Sequence, residues 1–222
     1  MPVVVHHLEN SRSQRVLWLL EELGLEYRVE RYPRDKKTSL APEALRAIHP
    51  LGKSPLLEDS GRVYAETGNI VEHLVETYGG GRLRPEIGTE AFERYRFWMH
   101  YAEGSLMPIL LLRLIFNRIK EGPVPFFIKP IAKGIVDKVS AAFIDPQTAL
   151  HFSYIDKEIG KTKWFCGEEL TAADIMMSFP LEAAGTRLDL DQYPNVARFV
   201  KEVHALPNYQ KALEKGGPYA YA

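Results

Sequence analysis

Three short stretches of this chain carry the polar groups that could do chemistry. The first, Glu9-Asn10-Ser11-Arg12-Ser13, separates the apolar run Val3-Val4-Val5-His6-His7-Leu8 from a helical stripe of Val16, Leu19, Leu20 and Leu23. Ser11 therefore follows a strand and precedes a helix, where unpaired N–H groups and the positive end of the helix dipole favour a thiolate or carboxylate. Asn10, Ser11 or Ser13 could equally act as a plain helix cap. A serine nucleophile is disfavoured, because no Gly-x-Ser-x-Gly elbow is present and His6 and His7 lie within the strand run. The second stretch is Gly52-Lys53-Ser54-Pro55-Leu56. A proline entering a strand suits a cis bond, and the Ser54 main chain is left free to pair with an extended peptide ligand as an added strand. In the third, Glu66-Thr67-Gly68-Asn69-Ile70, an acid precedes a hydroxyl at a helix start. That is either a second cap or a reader of an amino acid's charged ends, with Glu66 on the ammonium and Thr67 plus the helix N-terminus on the carboxylate.

The elements that must position these groups follow from periodicity. Strand candidates are Val3 to Leu8 and Tyr27 to Tyr32, with a helix between them that Gly24 stops, so the two strands should run parallel. After a short helix near 42–48, Leu56 and Leu57 open a third strand. Asp59-Ser60-Gly61 turns the chain back through Arg62 to Ala65, and a helix with Ile70, Leu74 and Tyr78 on one side ends at Gly79. The order β-α-β-α-β-β-α makes a small α/β layer with a mixed four-stranded sheet over residues 1–79. Gly79-Gly80-Gly81 opens a linker, 80–89, and from Glu90 the apolar residues keep a helical period, so 90–222 should be all helical. Within it Thr171 and Asp174 have the spacing of a capping box, with Leu170 and Ile175 as its hydrophobic staple.

Composition removes several classes of function. With 28 basic and 29 acidic residues in 222, the chain lacks the cationic excess that nucleic-acid binding needs. Val3-Val4-Val5 is too short for a signal sequence and Leu106 to Phe116 is broken by Pro108 and Arg113, so we expect a cytoplasmic protein with no membrane segment. A single cysteine, Cys166, excludes a disulfide framework, a thiolate-rich zinc site and a Cys-x-x-Cys pair, so thiol chemistry would need a thiol from outside.

Taken together and in order, NSRSQRVLWLLEELGLEY, HPLGKSPLLE, AETGNIVEHL and LTAADI resemble the glutathione S-transferase superfamily over essentially the whole chain. The look is closest to the bacterial and fungal branch with SRxxR in the first loop, and with Pro125-Phe126-Phe127-Ile128 in the helical part. The resemblance implies a thioredoxin-like N-terminal domain, an all-helical C-terminal domain and a homodimer. It also implies glutathione as co-substrate, no metal, and transfer of glutathione to a small hydrophobic electrophile. The activating donor falls on Ser11 by one alignment and on Asn10 by another, Ser11 being preferred for its hydroxyl. Ser54 and a cis Pro55 would hold the cysteinyl unit, Glu66 and Thr67 the γ-glutamyl end, and Lys53 the glycyl carboxylate. Phe97, Trp98, Tyr101, Met107 and Leu111 are offered to the electrophile pocket, with Tyr101 chosen for its wall. Two alternatives share these motifs: a glutathione-dependent disulfide or peroxide reductase, and a non-catalytic glutathione-binding or assembly module.

Overall fold

A strand apolar along both faces must be covered on both, and β1 (Val3–Leu8) is buried at every position in the middle of the sheet. The computed structural model describes residues 2–35, 38–123 and 125–222. Strand order is β2-β1-β3-β4, with β2 (Tyr27–Tyr32) parallel to β1 from the pair Val3 and Tyr27 onward. β3 (Leu56–Asp59) runs antiparallel to β1, and β4 (Arg62–Ala65) returns antiparallel to β3. Ser60 and Gly61 both have positive φ, 50° and 77°, which is what a two-residue turn matched to strand twist requires. The connection from β1 to β2 is α1 (Gln14–Leu23), ended by Gly24 at φ 70°. The segment expected near 42–48 is a single tighter turn, Glu43–Ala47. Following β4, α2 (Thr67–Tyr78) ends at Gly79, whose φ of −68° is an ordinary helical value. Glycine is needed there for space, since a Cβ would stand 2.3 Å from the Val75 carbonyl oxygen.

The second part comprises α3 (Glu90–Tyr101), α4 (Met107–Glu121), α5 (Lys129–Val139), α6 (Asp145–Ile159), α7 (Ala172–Gly185), α8 (Pro194–His204) and α9 (Pro207–Gly216). Between α3 and α4 the helix does not break; it widens into a π turn at Ala102–Leu106. At its axis lies α7, buried at nearly every position, which is why its sequence shows little amphipathic contrast. The expected capping box opens it. Thr171 donates through both its N–H and its hydroxyl to Asp174 Oδ2 at 2.8 Å, and Phe165 N–H donates to Oδ1 at 2.8 Å.

The two parts share more than a linker. Helix α9 folds back onto α1 and β2 of the α/β layer, with Tyr209 edge-on to Trp18 at 5.4 Å and Asn208 donating to Glu22. Beyond it the tail runs across the first loop, where the Ala220 N–H donates to Asn10 Oδ1 at 2.7 Å and the Tyr219 hydroxyl to Glu182.

Candidate functional site

The Ser54–Pro55 peptide bond is cis. The Ser54 hydroxyl donates to the His6 carbonyl at 2.9 Å and accepts from Leu8 N–H at 3.2 Å. With its side chain tied to β1, what Ser54 offers outward is its main chain. Next to it is a cavity of about 240 Å³ in which Lys53, Ser54, Pro55, Glu66 and Thr67 converge. All five positions expected to hold the tripeptide therefore share one site. Glu66 is held at φ 70°, a conformation costly for a residue with a side chain, at the start of α2. Neither Lys53 nor Glu66 has an ion-pair partner among the described residues, so both charges are open to a ligand.

The first loop is arranged differently from the expectation. Ser11 is 5% exposed and lines no cavity at this site; its Oγ lies 2.7 Å from Ser13 Oγ and accepts from Ser13 N–H. Ser13 Oγ in turn lies 2.9 Å from His7 Nδ1. Burial, with the nearby Arg31 charge, pushes His7 down to about 4, so its ring is neutral at pH 7. When Nδ1 is bare, Ser13 donates to it and Ser11 donates to Ser13, which uses the one proton Ser11 could have offered outward. Asn10, at φ 49°, gives its Oδ1 to the tail and faces a second cavity. In that tautomer the hydroxyl of Ser11, the preferred outward donor, is engaged inside the loop.

The loop side chain that does reach the tripeptide cavity is Arg12, which sequence reasoning passed over. Its Nε donates to both Glu103 oxygens at 3.0 Å, while its two Nη groups have no partner among the described residues. Glu103 comes from the π turn and also meets Arg15, which is buried and donates through Nη1 to the Met176 carbonyl at 2.8 Å. Burial alone would raise the Glu103 pKa, but Arg15 and Arg12 hold its carboxyl below the usual range. The available signal was the pair Arg12 and Arg15 in the SRxxR loop, whose acidic partner lay about ninety residues away and out of reach of any spacing argument.

Arg12 also lines the second, larger cavity of about 400 Å³, so the two meet at its side chain. Met107 and Leu111 line that cavity as expected. Phe97, Trp98 and Tyr101 do not: Tyr101 bonds His151 through its hydroxyl, and its ring packs among Phe97, Trp98 and Tyr154. Tyr101, chosen for the pocket wall, lies on a face of α3 turned toward α6. Phe179, below the guanidinium groups of Arg12 and Arg15 at 5.6 and 5.4 Å, takes a wall instead. Cys166 lies away from both cavities, and burial pushes its thiol up to about 12.

Comparison with known proteins agrees at both ends of the chain. The glutathione S-transferase N-terminal domain model matches residues 11–77, and the glutathione S-transferase C-terminal domain model matches residues 127–216. Glutathione S-transferase 3 of Schizosaccharomyces pombe is 36% identical over 96% of this chain and 87% of its own. Glutathione S-transferase 1 of Saccharomyces cerevisiae is 33% identical over 97% and 96%. The crystal structure of a glutathione S-transferase from Actinobacillus pleuropneumoniae superposes with a TM-score of 0.84 at 34% identity, covering 99% of this chain and 95% of that one.

Proposed function

The chain belongs to the glutathione S-transferase superfamily and is a glutathione transferase, and from that premise we propose that its smaller cavity takes glutathione, its larger one the electrophile, and Arg12 the sulfur between them. The observation that carries this reading is the sharing of Arg12 by two cavities, one of which collects all five tripeptide positions. Ser54 main chain pairs with the cysteinyl unit, Glu66 binds the α-ammonium, and Thr67 with the α2 N-terminus binds the α-carboxylate. Lys53 meets the glycyl carboxylate. Homologous transferases bind glutathione, and the protein works as a homodimer in the cytoplasm. Among the described residues no helix is long and apolar enough to cross a membrane.

The chemistry needs only thiolate stabilisation and alignment. A thiol of pKa about 8.5 is a few per cent ionised at pH 7, and one charge-assisted hydrogen bond contributes about 1.5 to 3 kcal/mol toward its ionised form. An Arg12 Nη group supplies that bond, and the α1 N-terminus adds a fraction. With sulfur and electrophile held in adjoining cavities, attack becomes effectively unimolecular. The thiol proton leaves to solvent and no protein nucleophile is required.

The test is the ultraviolet absorbance of the bound thiolate across a pH series. Arg12→Gln should raise the pKa of bound glutathione by about one unit, since each unit is 1.36 kcal/mol. Ser11→Ala should move it by less than half as much. If Ser11→Ala moves the titration and Arg12→Gln does not, the donor is the loop hydroxyl and the assignment to Arg12 fails.

A further inference from the structure

The larger cavity has a floor and a rim of opposite chemistry. Met107, Leu110, Leu111 and Leu114 of α4, with Phe179, make an apolar floor beginning beside Arg12. Along the same helix the next residue to face the cavity after Leu114 is Arg118, about 16 Å from Met107 at 1.5 Å per residue. Among the described residues five arginines line this cavity and no carboxylate does. Arg113 pairs with Asp145 at 2.7 Å, and Arg12 pairs with Glu103, which it shares with Arg15. The other three form no such pair among the described residues. Arg34 spends its donors on the carbonyls of Glu9, Asn10 and Ser39, and Arg187 donates to the Ala183 carbonyl, all uncharged acceptors. Arg118 has no hydrogen bond or ion pair among the described residues. Burial makes the charge on Arg34 costly, and the like charges of Arg118 and Arg12 add to that cost, with Tyr221 and Glu9 opposing. Arg118 and Arg187 are exposed at the rim and Arg34 is half-buried, so an anion lying among them gains three cationic partners that a neutral, wholly apolar substrate would leave to water.

We infer that the electrophile is an apolar molecule carrying an anionic group, such as a carboxylate, on the end remote from its reacting carbon. This rests on the assignment of the larger cavity to the electrophile. The apolar body lies on the α4 floor with the reacting carbon at Arg12 and the sulfur, and the anion sits among Arg34, Arg118 and Arg187. For an aryl chloride the step is a substitution. The thiolate forms the C–S bond, the ring holds the added charge, and chloride leaves with the C–Cl electron pair.

A matched pair of electrophiles tests this: an amide of 4-chloro-3-nitrobenzoic acid whose six-carbon chain ends in a carboxylate, long enough to span the α4 floor, and the same compound ending in a carboxamide. Each kcat/KM is divided by the rate constant of the uncatalysed reaction with glutathione, so that ring activation cancels. The carboxylate should then be preferred about tenfold at low ionic strength, with the preference falling as salt is added. Arg118→Gln combined with Arg187→Gln should abolish that ratio, and Arg118→Lys should retain it. Competition binding of the two glutathione conjugates gives the same comparison without turnover. A normalised ratio at or below one, or a ratio that survives loss of both charges, overturns the inference. Preferential binding of the carboxylate conjugate with turnover of neither compound upholds the inference and counts against the transferase mechanism. Turnover of the carboxamide with no charge preference does the reverse.

Discussion

His7 shows how one buried ring sets the behaviour of a loop. Its folded pKa of about 4 lies below the ordinary 6.5, so its contribution to stability is complete above pH 6.5 and is lost as pH falls through 4. The difference amounts to roughly 3 kcal/mol. Compared with His7→Gln, the wild type should lose about that much stability in urea titrations run between pH 6.5 and 4. Equal slopes for the two proteins would show that the ring is not held neutral by the fold. The His7 to Ser13 bond also bears on which loop residue faces outward. Asn10, Ser11 and Arg12 stand consecutively between a strand and a helix, and no spacing rule says which of three neighbours turns inward. That choice is made by His7, six residues before Ser13, whose partner is visible only in three dimensions. By contrast, Ser54, Pro55, Glu66 and Thr67 were legible, because a strand entrance and a helix start fix their directions locally.

At the scale of elements, the α7 cap was legible and the π turn was not. Thr171 and Asp174 are three residues apart and bond each other, so local spacing carried the whole signal. The π turn at Ala102–Leu106 answers a distant demand, bringing Glu103 to Arg12 of the first loop and Arg15 of α1, and nothing within α3 or α4 announces it. The cap has a pH signature opposite to that of His7. Burial pushes Asp174 up to about 6, against the N–H and hydroxyl donors of Phe165 and Thr171 that favour its charge. A raised carboxyl pKa contributes stability that is full below about 3.9, the unfolded value, and is lost as pH rises through 6. Relative to Asp174→Asn, the wild type should therefore gain roughly 3 kcal/mol as pH falls from 6 to 4. Calorimetric midpoints of the two proteins over that range decide it, and a gap that stays constant would refute the assignment. Asp174→Ala, which removes every one of these bonds, should cost about 1 to 3 kcal/mol near pH 7 without changing glutathione affinity.

For the molecule as a whole, the α/β layer and the helical part were both legible from periodicity, whereas their mutual grip was not. A boundary near residues 80–89 describes the path of the chain, yet α9 returns from the far end to cover α1 and β2. Amphipathic spacing reveals that a helix has an apolar face and leaves open which surface receives it. Exposed residues of α2 and α3, among them Glu72, Glu76 and Arg96, flank a groove of about 170 Å³, and the proposed homodimer is tested by mass. Sedimentation equilibrium at micromolar concentration should accordingly give twice the chain mass, and a monomer would remove the homodimer. The return of α9 bears on how the protein is made. On a ribosome, the sheet strands and α1 emerge early, but Trp18 has no ring to meet until Tyr209 has been synthesised nearly two hundred residues later. Until then the outer face of α1 stays wet and the first loop lacks its tether to Ala220. The nascent N-terminal layer therefore stays unfinished until α9 has been synthesised, and its first loop gains the Ala220 tether only after that.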